Sequence, residues 1–143
     1  MTKRNRWRTK EAVRIAEQTG LIALRAGAEA ILTEAIDEAP VDTGTLRRSG
    51  TVTVGNLPDG AQVYAAAEGG VSMAKAFPGE IGKEQAVYIS FNTPYARRQH
   101  EELGYSHPVG GKAKFLEDPF NRTKDKVFKY ADERIKKALR ETE

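Results

Sequence analysis

The residues best equipped for chemistry in this 143-residue chain are its two histidines. His100 and His107 lie seven apart, with Glu101 and Glu102 between them. A zinc site closes with three or four ligands at tight spacing, commonly cysteines, and the chain has no Cys. These side chains read as hydrogen-bonding groups of a loop or a subunit contact, and no metal or other cofactor is expected. Asp42, Thr43 and Thr45 set a carboxylate beside two hydroxyls. A nucleophile needs a base, and the base needs an orienting partner; no segment supplies that pair. Asx- or ST-turn and capping chemistry accounts for all three residues. Gly69, Gly70, Gly79 and Gly82 do not spell a phosphate loop, because no G-x-x-x-x-G-K-[ST] occurs. No enzymatic role is expected.

Charge points to partners rather than to catalysis. There are 23 basic and 20 acidic residues, net +3, which is not a surface built throughout to grip nucleic acid. The excess is local: Lys3, Arg4, Arg6, Arg8 and Lys10 crowd the start, with Trp7 among them. Residues 1–9 have no periodicity and read as a basic arm. It would dock on a neighbouring subunit or partner, or contact phosphates by releasing counterions. No apolar h-region follows Met1, and no apolar run approaches the ~18–20 residues of a membrane span. The expectation is a soluble chain that is neither secreted nor anchored. Absence of Cys fits assembly in a reducing cytoplasm.

The elements that must position these residues are legible as patterns. From Lys10 to about Glu38, apolar residues recur at three- and four-residue steps (Val13, Ala16, Ile31, Leu32, Ala35, Ile36), which predicts a long helix capped by Thr9 and stopped by Pro40. Gly20 and Gly27 mark a kink or the close approach of another helix. Residues 41–50 read as a structured loop with a short helical turn at Thr45, a buried Leu46, and Arg47 and Arg48 facing solvent or a neighbour. Strands are predicted at 51–54, 61–65 and 86–91. Residues 68–85 form a long excursion, with or without a short hairpin. Loops of this length are commonly functional, and Met73 and Phe77 are its expected partner contacts. A short helix or turn spans 95–103. Asp118 and Pro119 read as N-cap and first position of a last helix, with Phe120, Val127, Phe128, Ala131 and Ile135 on one buried stripe. The fold class is α+β, one domain: a long N-terminal helix, an antiparallel sheet of about three to four strands, and a C-terminal amphipathic helix packed on the sheet.

Two segments carry a family resemblance. Ala39-Pro40-Val41-Asp42-Thr43-Gly44-Thr45-Leu46-Arg47-Arg48-Ser49 follows the long helix, and Asn92-Thr93-Pro94-Tyr95-Ala96-Arg97-Arg98-Gln99-His100-Glu101 follows the last strand. Lys114-Phe115-Leu116-Glu117-Asp118-Pro119-Phe120 is a third, weaker cue. In this order, over residues 10–140, the chain resembles tailed-phage minor capsid and tail-component proteins encoded among head–tail joining genes. The resemblance implies a structural virion protein at the head–tail junction, assembled in the bacterial cytoplasm. It implies a ring-forming connector, neck or tail-completion subunit, with a tail terminator as the neighbouring role. A small DNA-binding protein is the rival from another class. Implied partners are further copies of the chain in a hexamer or dodecamer, portal, adaptor or stopper proteins, the terminator or tail-tube protein, and genomic DNA in the channel. Expected contact residues are Arg4, Arg6, Trp7, Arg8, Arg47, Arg48, Met73, Phe77, Tyr95, Arg97, Arg98 and His100.

Overall fold

The computed structural model of the chain describes residues 3–41, 43–74, 84–105, 107 and 110–142, with side chains from Arg8 onward. The order is α1 (Lys3–Glu38), α2 (Thr45–Arg48), β1 (Gly50–Val54), α3 (Gly60–Glu68), β2 (Val87–Phe91), α4 (Ala96–Glu101) and α5 (Glu117–Glu141). The class is α+β, but among the described residues the sheet has two strands, β1 and β2. They pair antiparallel from Gly50↔Phe91 to Val54↔Val87.

The missing strand is 61–65, which lies inside α3. Asp59 caps that helix, its Oδ1 accepting from the N–H groups of Ala61 (3.1 Å) and Gln62 (3.2 Å). Ala65, Ala66 and Ala67 then supply the strongest helix formers. Val63 and Ala67, one turn apart, are fully buried. A cap and an alanine run outweigh five residues of apparent alternation.

α1 starts at Lys3 rather than after Thr9, so the basic segment is the first turns of a 36-residue helix, about 54 Å long at ~1.5 Å per residue. The glycines mark where α5 crosses. A Cβ on Gly27 would stand 2.7 Å from Val127 Cγ2, and one on Gly20 3.3 Å from Ile135 Cδ1. Arg122 reaches Glu38 (2.9 Å) and Glu34 (3.4 Å) from the start of α5. The helices are therefore antiparallel. Their register places Glu141 opposite about residue 14, so the first ten or so residues of α1 run past α5 by about 15 Å. The sequence pattern had suggested that α5 packs on the sheet; instead it packs on α1. Both strands lie over α1.

Two apolar clusters meet at Phe91. Ala28, Leu32 and Val52 join α1 to the sheet. Ala39, Leu46, Ala96 and Phe115 join the end of α1 to α2, α4 and the approach to α5. Phe91 and Phe115 stack edge-to-face at 5.0 Å. The loop before α5 lies against the last turn of α1, with Lys112 N–H donating to Glu38 O at 2.9 Å and Val41 N–H to Gly110 O at 3.1 Å. Gly111, at φ +89°, has no room for a Cβ against the backbone of Ala39 and Pro40.

Candidate interaction surface

The 39–49 segment is a bracket. Gly44, at φ 84°, turns the chain into α2. Thr43 and Thr45 share a hydroxyl hydrogen bond at 2.9 Å, and Thr45 N–H points to Thr43 Oγ1 at 3.5 Å. Thr45 and Leu46 are buried. The two arginines then close helix ends. Arg47 donates from Nε to Ala39 O (2.9 Å) and from Nη2 to Asp37 O (2.8 Å), at the C-terminus of α1. Arg48 donates from Nε to Ala67 O (2.8 Å), in the last turn of α3. Cations there complement the partial negative charge of a helix end. Both guanidiniums are thus engaged within the chain, half-buried rather than facing freely outward.

The second segment is wired to the first. Asn92 N–H donates to Ser49 Oγ (3.1 Å), and Asn92 Nδ2 donates to Ser49 O (2.8 Å), with Ser90 Oγ (3.2 Å) and Thr51 Oγ1 (3.3 Å) nearby. Ser49 is fully buried and itself donates to Leu46 O at 2.7 Å. Asn92 therefore ties β2 to the start of β1 and to α2.

His100 has a structural task. Its Nε2 accepts the Glu117 N–H (3.1 Å), capping the first amide of α5 from another helix. That leaves the proton on Nδ1, which donates to Glu101 Oε1 at 2.8 Å. The ring packs edge-on against Phe115 at 5.1 Å. Lys114 closes the cluster on Glu101 and on Glu117 (3.3 Å). The hydrogen bond from Lys114, then that from His100, holds the Glu101 carboxyl below its ordinary value, and Glu101 raises Lys114 in return. Because α5 begins at Glu117, Asp118 sits in its first turn instead of capping it, and pairs with Lys112 at 2.7 Å. Among the described residues no group of three or more His, Asp and Glu side chains could hold a metal.

Part of the expected contact set comes together. Tyr95, Arg97 and Arg98 line one exposed groove with Pro94, Glu101 and Glu102, adjacent to His100. The rest is scattered. Arg8 is exposed on α1, Arg4, Arg6 and Trp7 lie on its first turns, Met73 is half-buried after α3, and Phe77 lies outside the described residues, as does any hairpin at 75–83.

Two exposed residues are on the stripe expected to be buried: Phe120 and Phe128 are 40% and 55% exposed. Tyr130, outside that stripe, is 47% exposed. The buried face of α5 is narrower than the stripe suggested, with Ala131 at its centre. On α1, Ile22 is 72% exposed and lines two grooves. One, behind the helix pair, includes Ala23, Tyr130 and Ala138; the other, at the end of the sheet, includes Leu21 and Val54. Among the described residues no helix is long and apolar enough to cross a membrane.

No curated protein and no solved structure matches the chain. One family model does, over residues 8–97: HK97-gp10_like, described as "Bacteriophage HK97-gp10, putative tail-component". The match takes in α1, the bracket, both strands and the start of α4, and stops short of α5. It covers well over half of the 143 residues, and the chain belongs to this family of phage tail-component proteins.

Proposed function

We propose that the chain is a ring-forming subunit of the head–tail connector, of tail-completion type, which links the portal complex to the tail around the DNA channel. The observation that carries this reading is the overhang of α1. Its first turns project beyond α5 and bear Lys3, Arg4, Arg6, Arg8 and Lys10 against Glu11 alone. Residues 1–12 hold +4, so the rest of the chain holds −1 of the net +3. A projecting basic helix and a mildly acidic body are complementary between identical copies. Head-to-tail contact of that kind closes into a ring, and closure fixes the copy number, a hexamer or dodecamer. Tyr95, Arg97 and Arg98, with Glu101 and Glu102, offer a second exposed face of mixed charge for the portal-side adaptor or stopper, or for the terminator or tail-tube protein.

In this reading function is assembly in the host cytoplasm and residence in the virion, without catalysis. Tail termination is the neighbouring role. The rival DNA-binding reading draws on the same basic overhang. Native mass spectrometry of the purified chain tests the proposal: a closed oligomer is expected. A strict monomer that also fails to bind isolated connector or tail-tube rings would overturn it. Submicromolar duplex binding with a steep salt slope, lost on deleting residues 1–8, would favour the rival.

A further inference from the structure

Charge is segregated along α1. Residues 26–38 hold Glu29, Glu34, Asp37 and Glu38 and no base, −4 in all. The chain beyond residue 12 holds −1, so apart from this stretch it holds +3. The acid that can meet the basic first turns of another copy is therefore on the second half of the same helix. Arg122 answers Glu34 and Glu38. Glu29 pairs with Arg25 of its own helix at 3.3 Å, and the Asp37 carboxylate has no bonded partner among the described residues.

The outer face of α1 is also close to palindromic. Its centre is Ile22, 72% exposed. Positions 26, 29, 33 and 37 follow at steps of 4, 3, 4 and 4, and positions 18, 15, 11 and 8 precede at steps of 4, 3, 4 and 3. All are exposed or half-buried. At ~100° per residue this stripe is centred roughly 140° from Gly20 and Gly27, where α5 crosses, and roughly 110° from Ala28 and Leu32, which meet the sheet. Among the described residues its side chains bond only within α1. Ala74 and Glu84, at the two ends of residues 75–83, are on the sheet side. Ala74 packs with Ala28, Leu32 and Val52, and Glu84 N–H donates to Gly55 O at 3.1 Å.

We infer that two free copies of the chain pair along α1, antiparallel and about a twofold axis at Ile22. Helices pack ~8–10 Å apart, and the small Ala26 and Thr33 permit that approach. In this register Ile22 meets Ile22, Gln18 meets Ala26, and Arg8 meets Asp37, the last two contacts each made twice. Ile135 lies at Gly20, so Lys137 lies beside about residue 18. Arg134 and Lys137, on the wall of the groove behind the helix pair, then face Glu29 of the second copy. An apolar centre with opposite charges at both ends fits this one occupant. A parallel pair would set basic end on basic end, and nucleic acid would meet Glu29 and Asp37 with repulsion. The contact goes beyond the ring reading. It closes on two copies and engages the basic end that the head-to-tail contact uses, so pair and ring exclude each other. The pair is the form of the chain before it joins a particle.

The test uses the full free chain, which has no cysteine, so an introduced one reports on the pair alone. Oxidised Ile22→Cys should run as a covalent dimer, a product that only a twofold contact near residue 22 gives. Arg8→Cys combined with Asp37→Cys should also stop at the dimer. Ile22→Glu should weaken association at least ~10-fold in analytical ultracentrifugation, by setting two like charges face to face. Its far-UV circular dichroism should be unchanged, because Ile22 is exposed in the single chain. Arg8→Asp should weaken association in the same direction, and Asp37→Arg on that background should restore it. No crosslink from Ile22→Cys, a ladder beyond two copies from the double cysteine variant, or no rescue by Asp37→Arg would overturn the pair. Joining of heads to tails is scored separately on particles, so failure of the assembly role is told apart from failure of the pair.

Discussion

Asn92 and Ser49 hold each other from two sides, the Asn92 backbone N–H on Ser49 Oγ at 3.1 Å and its Nδ2 on Ser49 O at 2.8 Å. The pair joins the two segments that carry the family pattern, and Ser49 is fully buried. Replacing Asn92 by Asp removes the side-chain donor and leaves the Ser49 carbonyl without its partner. The expected loss is about 1–3 kcal/mol in urea unfolding, with Asn92→Ala falling in the same range. Because both residues act in one network, Ser49→Ala combined with Asn92→Ala should cost clearly less than the two single changes added together.

Gly27→Ala should destabilise the chain, although alanine is the better helix former by ~1 kcal/mol. The new methyl enters the space of Val127 Cγ2 and Cβ, 2.7 and 3.0 Å away, and a valine has little freedom to move aside. A net loss of about 1–3 kcal/mol is expected from overpacking. Val127→Ala on the Gly27→Ala background should recover part of it, read as the denaturation midpoint. An additive loss in the double variant would show that the glycine is not there for α5.

How much of this was legible in the sequence depends on how local each cause is. Pro40 stops α1, and β1 and β2 show period-2 alternation, so both strands and the end of α1 could be read directly. Leu46 is expected to be buried, and it is; Asp42, on which the Asx part of the turn reading rests, lies outside the described residues. α3 was misread because Val63 and Tyr64 suggested a strand, while Asp59 before an alanine-rich run was the better signal. The uses of Arg47, Arg48 and His100 were not legible. Each pairs with a helix end brought near only by the tertiary fold. Phe120 and Phe128 share a helical stripe with true core residues, and periodicity cannot say which flank of a helix finds a partner within its own chain.

Arg47 supplies two hydrogen bonds to the last carbonyls of α1. Arg47→Ala should cost about 1–3 kcal/mol. Arg47→Lys should recover only part of this, since a single ammonium cannot span both carbonyls in the same fork. Thermal unfolding of the two variants beside the parent gives the comparison.

Acid should loosen the junction of α4 with α5. The Glu101 carboxyl is lowered, first by the hydrogen bond from Lys114 and then by that from His100; Asp118 is lowered by the bond from Lys112. A carboxyl whose folded value lies below its unfolded one adds stability that is present above the unfolded value, ~4, and is lost as pH falls through the folded value. Stability should therefore decline as pH drops below ~4.5. The double variant Lys112→Met, Lys114→Met should show a shallower decline over that window in denaturation midpoints.

The projecting end of α1 separates assembly from folding. Residues 3–8 lie on the part of α1 that runs past α5, so on deleting residues 1–8 the unfolding free energy should change by less than about 0.5 kcal/mol. Oligomer formation should be lost or much weakened, and raised salt should weaken the parent oligomer in the same direction. Analytical ultracentrifugation at two ionic strengths reads both effects.

The central claim is that this chain joins phage parts. The most direct measurement is electron microscopy of particles produced when its gene carries an early stop codon, with and without the protein supplied in trans. The account predicts separate heads and tails without the protein, and joined virions containing it when it is restored. Normal infectious virions lacking the chain would contradict it.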